Sequence, residues 1–221
     1  LGDRREGVEQ QGHAVLGRAH LHHRVGEALS RLGSALSDEK RYVEADSVLR
    51  EASAVLRASY PEGHPDVGHM LRGMGMNLER WGRYADAEPI WREAANLFRG
   101  IAGPHDVGYV NSTMHVGYCQ LRLGRFVESE RTLRLLLTQM KGVTPAASPI
   151  ANRIRVHLAE AVAGQKRFVE AESMLLSEFR SSVEAPGLRG QPRRVTAAAL
   201  ARLYDAWGRP KDAARYRAIG Q

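Results

Sequence analysis

The sequence is poor in several things that would announce a function. It holds one cysteine, Cys119, among 221 residues. A single thiol closes no internal disulfide and builds no cysteine-based metal cage, so a reducing, cytoplasmic setting is the expectation. No run of about 18 apolar residues occurs, and nothing in the chain is a candidate membrane-spanning helix. Aromatic residues make up only 6%. They form no stripe interleaved with cations, the pattern on which single-stranded nucleic acid stacks. Lysine is scarce too: Lys40, Lys141, Lys166 and Lys211 leave 28 of the 32 cations as arginine. The opening Leu1-Gly2-Asp3-Arg4-Arg5-Glu6 is followed by no apolar stretch and is not expected to be a signal peptide. It also lacks an initiator Met, so a processed or excised piece of a longer chain is expected.

Catalytic signatures are missing as well. Gly73-Met74-Gly75 lacks the third glycine and the preceding strand of a dinucleotide loop. No phosphate-binding Gly-x-x-x-x-Gly-Lys, no His-Glu-x-x-His, no Gly-x-Ser-x-Gly and no kinase His-Arg-Asp or Asp-Phe-Gly occurs. His20-x-His22-His23 lacks a carboxylate or thiol partner and reads as a capping or surface cluster, with no metal expected. The Glu128/Glu130 and Glu170/Glu172 pairs recur in register, which suits helix starts better than acid–base chemistry. Cys119 has no neighbouring base and reads as a packed thiol. The expectation is a protein that is not an enzyme and needs no cofactor.

What the chain does have is a period. Lys40-Arg41-Tyr42-Val43-Glu44-Ala45-Asp46 returns as Gly82-Arg83-Tyr84-Ala85-Asp86-Ala87-Glu88. It returns again as Gly124-Arg125-Phe126-Val127-Glu128-Ser129-Glu130 and as Lys166-Arg167-Phe168-Val169-Glu170-Ala171-Glu172. Gly208-Arg209-Pro210-Lys211-Asp212-Ala213 is a fifth copy, and the spacing is 42 residues each time. Before each copy, apolar residues recur at helical spacing, as in Leu29, Leu32, Leu36 and in Leu71, Met74, Leu78. A small residue sits in each stripe: Gly33, Gly75, Gly117, Ala159, Ala201. Mid-helix glycine costs about 1 kcal/mol against alanine, so close approach of a partner helix is expected there. The matching small position follows twelve residues later at Ala45, Ala87, Ser129, Ala171 and Ala213. Gly82, Gly124 and Gly208 suit a left-handed helix end. The arginine after each is expected to favour the helix C-terminus, and Glu44, Asp86, Glu128, Glu170 and Asp212 to open the next helix. His64-Pro65-Asp66-Val67, Pro104-His105-Asp106-Val107 and Ser148-Pro149-Ile150 read as helix stop and restart.

With Leu71, Met74-Gly75, Leu78, Ala87-x3-Trp91 and Ala94, the sequence resembles the tetratricopeptide family, whose repeat is 34 residues long. The longer period of 42 and the His-Pro-Asp-Val junction are similar to the kinesin-light-chain type. Leu203-Tyr204-Asp205-Ala206-Trp207-Gly208-Arg209-Pro210 also resembles repeats appended to some bacterial serine/threonine kinases. Thr113, Arg155 and Arg217 depart from the apolar pattern. The resemblance implies an all-α fold: a right-handed superhelical solenoid of about ten helices in antiparallel pairs, without strands. Residues 1–221 are expected to form a single array. It would comprise an orphan second helix over 1–21, repeats over 22–63, 64–103, 104–147 and 148–190, and a partial repeat over 191–221. Such arrays need polar caps, so self-association or disorder at a clipped end is expected.

In this family the first helix of each pair lines an inner groove. Carried over, the resemblance implies a lining of Arg31, His69, Arg72, Met76, Asn111, Met114, His115, Tyr118, Arg122, Arg153, His157, Glu160 and Arg202. Cations and imidazoles outnumber acids there, which suits an extended acidic peptide with an apolar anchor. The leading expectation is therefore a protein or peptide-binding scaffold, as the docking or regulatory part of a larger signalling protein. A nucleic-acid-binding solenoid is the alternative, favoured by the net charge of +7 and disfavoured by the acids set beside the arginines.

Overall fold

A computed structural model describes residues 23–60, 63–142, 148–184 and 191–220. The expected helix over 1–21, and with it His20 and His22, lies outside the described residues. Among those described, all regular structure is helical. We number the helices α1 (23–38), α2 (Tyr42–Ser59), α3 (Pro65–Arg80), α4 (Tyr84–Ala102) and α5 (Val107–Arg122). They continue as α6 (Phe126–Gln139), α7 (Pro149–Gly164), α8 (Phe168–Glu184), α9 (Gln191–Ala206) and α10 (Pro210–Gly220). The chain divides after Ile101 into two compact units.

The turn inside each pair explains the repeated sequence. Lys40, Gly82, Gly124, Lys166 and Gly208 all have positive φ, between 63° and 82°. The N–H of each reaches back three residues, as Gly82 does to the Glu79 carbonyl at 3.0 Å. The N–H of the following arginine reaches back five, as Arg83 does to the Leu78 carbonyl at 2.8 Å. This is the Schellman pattern, and it satisfies two carbonyls that a helix end leaves open. The arginine lies just beyond the helix end that sequence reasoning assigned to it, and opens the next helix. There its charge opposes the positive helix end, and the acid three residues on compensates. Arg41 pairs with Glu44 at 2.7 Å, Arg83 with Asp86 at 2.7 Å, Arg167 with Glu170 at 2.6 Å and Arg209 with Asp212 at 2.7 Å. The starts of α3, α5 and α7 use side-chain caps. Asp106 accepts from the Tyr109 N–H at 3.0 Å and Ser148 from the Ala151 N–H at 3.3 Å.

Packing within each pair follows from the small column. A Cβ on Gly75 would lie 2.5 Å from the Trp91 ring, and one on Gly117 would lie 2.6 Å from Leu133. The glycines at 33, 75 and 117 are therefore seats for the large residues at 49, 91 and 133. Leu49, Trp91, Leu133 and Leu175 are each at most 1% exposed, and full burial of such side chains contributes about 1.5–3 kcal/mol apiece. The paired small position also closes up: Ser129 Oγ donates to the Gly117 carbonyl at 2.7 Å. In the first unit the core gathers Leu49, Ala52, Leu56, Val67, Met70, Leu71, Met74 and Ala94. Leu32, expected in the apolar stripe, is 49% exposed. It sits on the first described helix, which has no described helix on its N-terminal side.

In the second unit α5, α7 and α9 are neighbours, while α6, α8 and α10 pack as their partners. The second acid of each Glu-x-Glu pair ties repeats together. Glu130 accepts from Gln165 at 2.6 Å and from Arg167 at 2.8 Å. Glu172 accepts from Tyr204 at 2.7 Å and from Arg209 at 3.1 Å. Burial acts to raise the Glu130 carboxyl, but hydrogen bonds from Gln165, Arg134 and Arg167 outweigh it and hold the group below its ordinary value. The fourth copy departs from the apolar rule with a polar cluster. Arg155 pairs with Glu178, and Asn152 donates to Glu178 at 3.0 Å.

Candidate functional site

Three first helices placed side by side leave a concavity between their C-terminal halves. In the second unit it encloses about 800 Å³ and is lined by residues of α5, α7 and α9, with Leu175 of α8 beneath and Phe126 and Lys166 from the loop edge. The floor is apolar: Leu121, Phe126, Leu175, Ala199 and Leu203. Gly164 makes that floor possible, because a Cβ there would collide with the Phe126 ring. Of the residues expected to line a groove, Tyr118, Arg122, His157, Glu160 and Arg202 come together here.

These five form a connected polar chain across the three helices. Arg122 Nη1 donates to the Tyr118 hydroxyl at 3.0 Å. The Tyr118 ring lies 4.8 Å from the His157 ring, tilted by 42°. His157 Nδ1 stands 3.2 Å from Glu160 Oε2, and Arg202 Nε donates to Glu160 Oε1 at 3.0 Å. Burial acts to raise the Glu160 carboxyl. The His157 hydrogen bond and the Arg202 charge outweigh it, so the group stays below its ordinary value and is ionised at neutral pH. Tyr118 also approaches His115, whose ring stands edge-on to it at 6.5 Å.

The other expected lining residues fall elsewhere. Met114 is 1% exposed and belongs to the core. Its mate one period on, Val156, is equally buried, so this column faces the neighbouring first helix instead of open space. Asn111 donates to the Val107 carbonyl of its own helix at 2.8 Å. Arg153 is exposed and does not line the concavity. In the first unit, Arg31 and His69 border a smaller hollow of about 230 Å³. Arg31 lies 3.8 Å from Glu27, and His69 stands edge-on to Phe98 at 5.4 Å with Arg72 Nη1 3.3 Å away. Met76 is 40% exposed. Sequence reasoning missed Phe126 and Lys166, because both belong to the turn motif and were assigned to it alone.

Among the described residues no group of three or more potential metal ligands occurs, and no helix is long and apolar enough to cross a membrane.

The comparisons agree with this architecture. Residues 24–90 match the tetratricopeptide repeat family. No curated protein matches the sequence significantly. Among solved structures, one described as a Podosopora anserina kinesin light chain with nearly identical TPR-like repeats is similar with a TM-score of 0.73 at 16% identity. That likeness covers 90% of this chain and 95% of the other. BtubC (BKLC) of P. vanneervenii gives 0.66 at 17% identity, over 93% of this chain and 91% of that one. The apo form of RapI gives 0.67 at 12% identity, over 90% of this chain and 63% of that one. Residues 24–90 are thus similar to the tetratricopeptide repeat family, and the chain has the all-α fold seen in kinesin-light-chain-like repeat structures.

Proposed function

We propose that this chain is a non-catalytic protein–protein interaction scaffold. Its second unit takes an extended peptide segment in the groove across α5, α7 and α9, as the docking part of a larger protein. The observation that carries the reading is the composition of that groove. An apolar floor is edged by Tyr118, His157 and charged side chains in a concavity of about 800 Å³, the mix expected where a buried anchor is fixed by a few polar contacts. The fold alone supports binding only by analogy; the groove supplies the specific argument.

The test is direct. Peptides selected from a random library on the folded chain are titrated against Tyr118→Ala. The expected loss is about 30-fold, the scale of an aromatic hot spot. Undiminished binding would move the site elsewhere. The alternative of nucleic-acid binding draws on the charge of +7, yet Arg41, Arg83, Arg167 and Arg209 are already paired with carboxylates. A steep fall of RNA affinity with salt would favour it.

A further inference from the structure

Resting on the peptide-groove reading, a sharper statement follows from one carboxylate. Tyr118, Glu160 and Arg202 occupy the same repeat position, one period apart, on α5, α7 and α9. By count of charges the groove looks basic, and the natural guess is a ligand acidic along its length. The pairing changes that. Arg202 donates to Glu160 Oε1 from Nε at 3.0 Å and also from Nη2. Its charge is therefore largely balanced by Glu160, although the Arg202 side chain is exposed. Glu160 itself remains an anion, with only 18% of its side chain exposed. A carboxylate offers about four lone-pair sites, and His157 and Arg202 use part of them, so acceptor capacity faces the groove. At the loop edge of the same concavity stands the cationic Lys166, while Arg122 is engaged with Tyr118. The Lys166 ammonium lies 5.7 Å from the Phe168 ring and the side chain is exposed.

We infer that Glu160 is the specificity-determining residue of this groove. By neutralising Arg202 it leaves the α7–α9 side with little pull on acidic side chains, so that the ligand is an extended segment in charge order: an acidic residue at Lys166, an apolar anchor on the Phe126–Leu203 floor, and an amide or basic donor at Glu160. Discrimination of this kind can come from withholding a partner from the wrong side chain as well as from supplying one to the right one. Paired with Glu160, Arg202 offers a ligand carboxylate little net attraction on this side.

The experiment selects a random peptide library on the wild-type chain, on Glu160→Gln and on Lys166→Gly. Gln keeps an acceptor and loses the charge; a thermal melt checks that the variant folds. Lys166→Gly removes the ammonium at a backbone position whose φ of 66° suits glycine, so its fold is secure. The wild type is expected to enrich peptides with acid on one side of the anchor only. Glu160→Gln is expected to admit acid on both sides, improving doubly acidic peptides by about tenfold. Lys166→Gly is expected to relax the single acid requirement. If wild type and Glu160→Gln enrich the same charge order, the inference is overturned while the peptide groove stands. If Glu160→Gln does not fold, an unchanged acid requirement in Lys166→Gly overturns it instead. Failure of the wild type to enrich any peptide sensitive to Tyr118→Ala would remove the groove reading, and the inference with it.

Discussion

At the scale of single residues, the turn position and its conformation can be set against each other. Lys40 and Lys166 adopt a left-handed backbone with φ of 63° and 66°, where their repeat mates Gly82, Gly124 and Gly208 do so freely. A side chain there costs about 1–2 kcal/mol. Lys40→Gly is therefore expected to raise stability by about 1 kcal/mol, less the added entropy of the unfolded chain, read as a higher urea midpoint. Gly117→Ala acts in the opposite direction. Its Cβ would sit 2.6 Å from Leu133, and overpacking of this kind costs about 1–3 kcal/mol. Glu160 sets a pH dependence. Its carboxyl is held below the ordinary value despite burial, by His157 and Arg202. The folded state thus binds the proton more weakly than the unfolded state. The stability it contributes is present above the unfolded pKa of about 4.3 and is lost as pH falls through the lower folded value. Unfolding midpoints measured from pH 6 down to about pH 3 should fall less steeply for Glu160→Gln than for wild type.

At the scale of helices, each pair repeats one design, and one pair departs from it. Arg155 and Glu178, with Asn152, stand between α7 and α8 where earlier copies place apolar residues such as Leu71 and Ala94. Removing one partner of a mostly buried pair leaves the other uncompensated and costs about 3–5 kcal/mol, whereas replacing both by apolar groups is often neutral or stabilising. Glu178→Leu alone should lower the melting temperature strongly. The double change Arg155→Leu with Glu178→Leu should recover most of that loss, and a melt of the three variants reads the difference. This scale also shows what was legible in advance. The period of 42, the αL turn and the small-residue column are local, and each has its own chemical signature. Met114 was misplaced because a column's direction depends on how neighbouring first helices meet, which no single helix records. The Glu160–Arg202 pair was legible in principle: residues one period apart at the same position become neighbours, and their charges are opposite. Phe126 and Lys166 carried a turn signal strong enough to hide a second role at the groove edge.

At the scale of the whole molecule, the account is that hairpins of helix which cannot bury their apolar faces alone pack side by side. In the second unit the first helices expose a groove as a consequence. The role we propose for that groove is recognition, through an apolar floor and an ordered set of charges. The most direct measurement is amide chemical-shift mapping with a peptide selected on the wild-type chain without reference to any site. The account predicts perturbations concentrated at Tyr118, His157, Glu160, Lys166 and Arg202. Perturbations concentrated instead on the exposed valines of the turn edge, Val127 and Val169, or within the first unit, would contradict it.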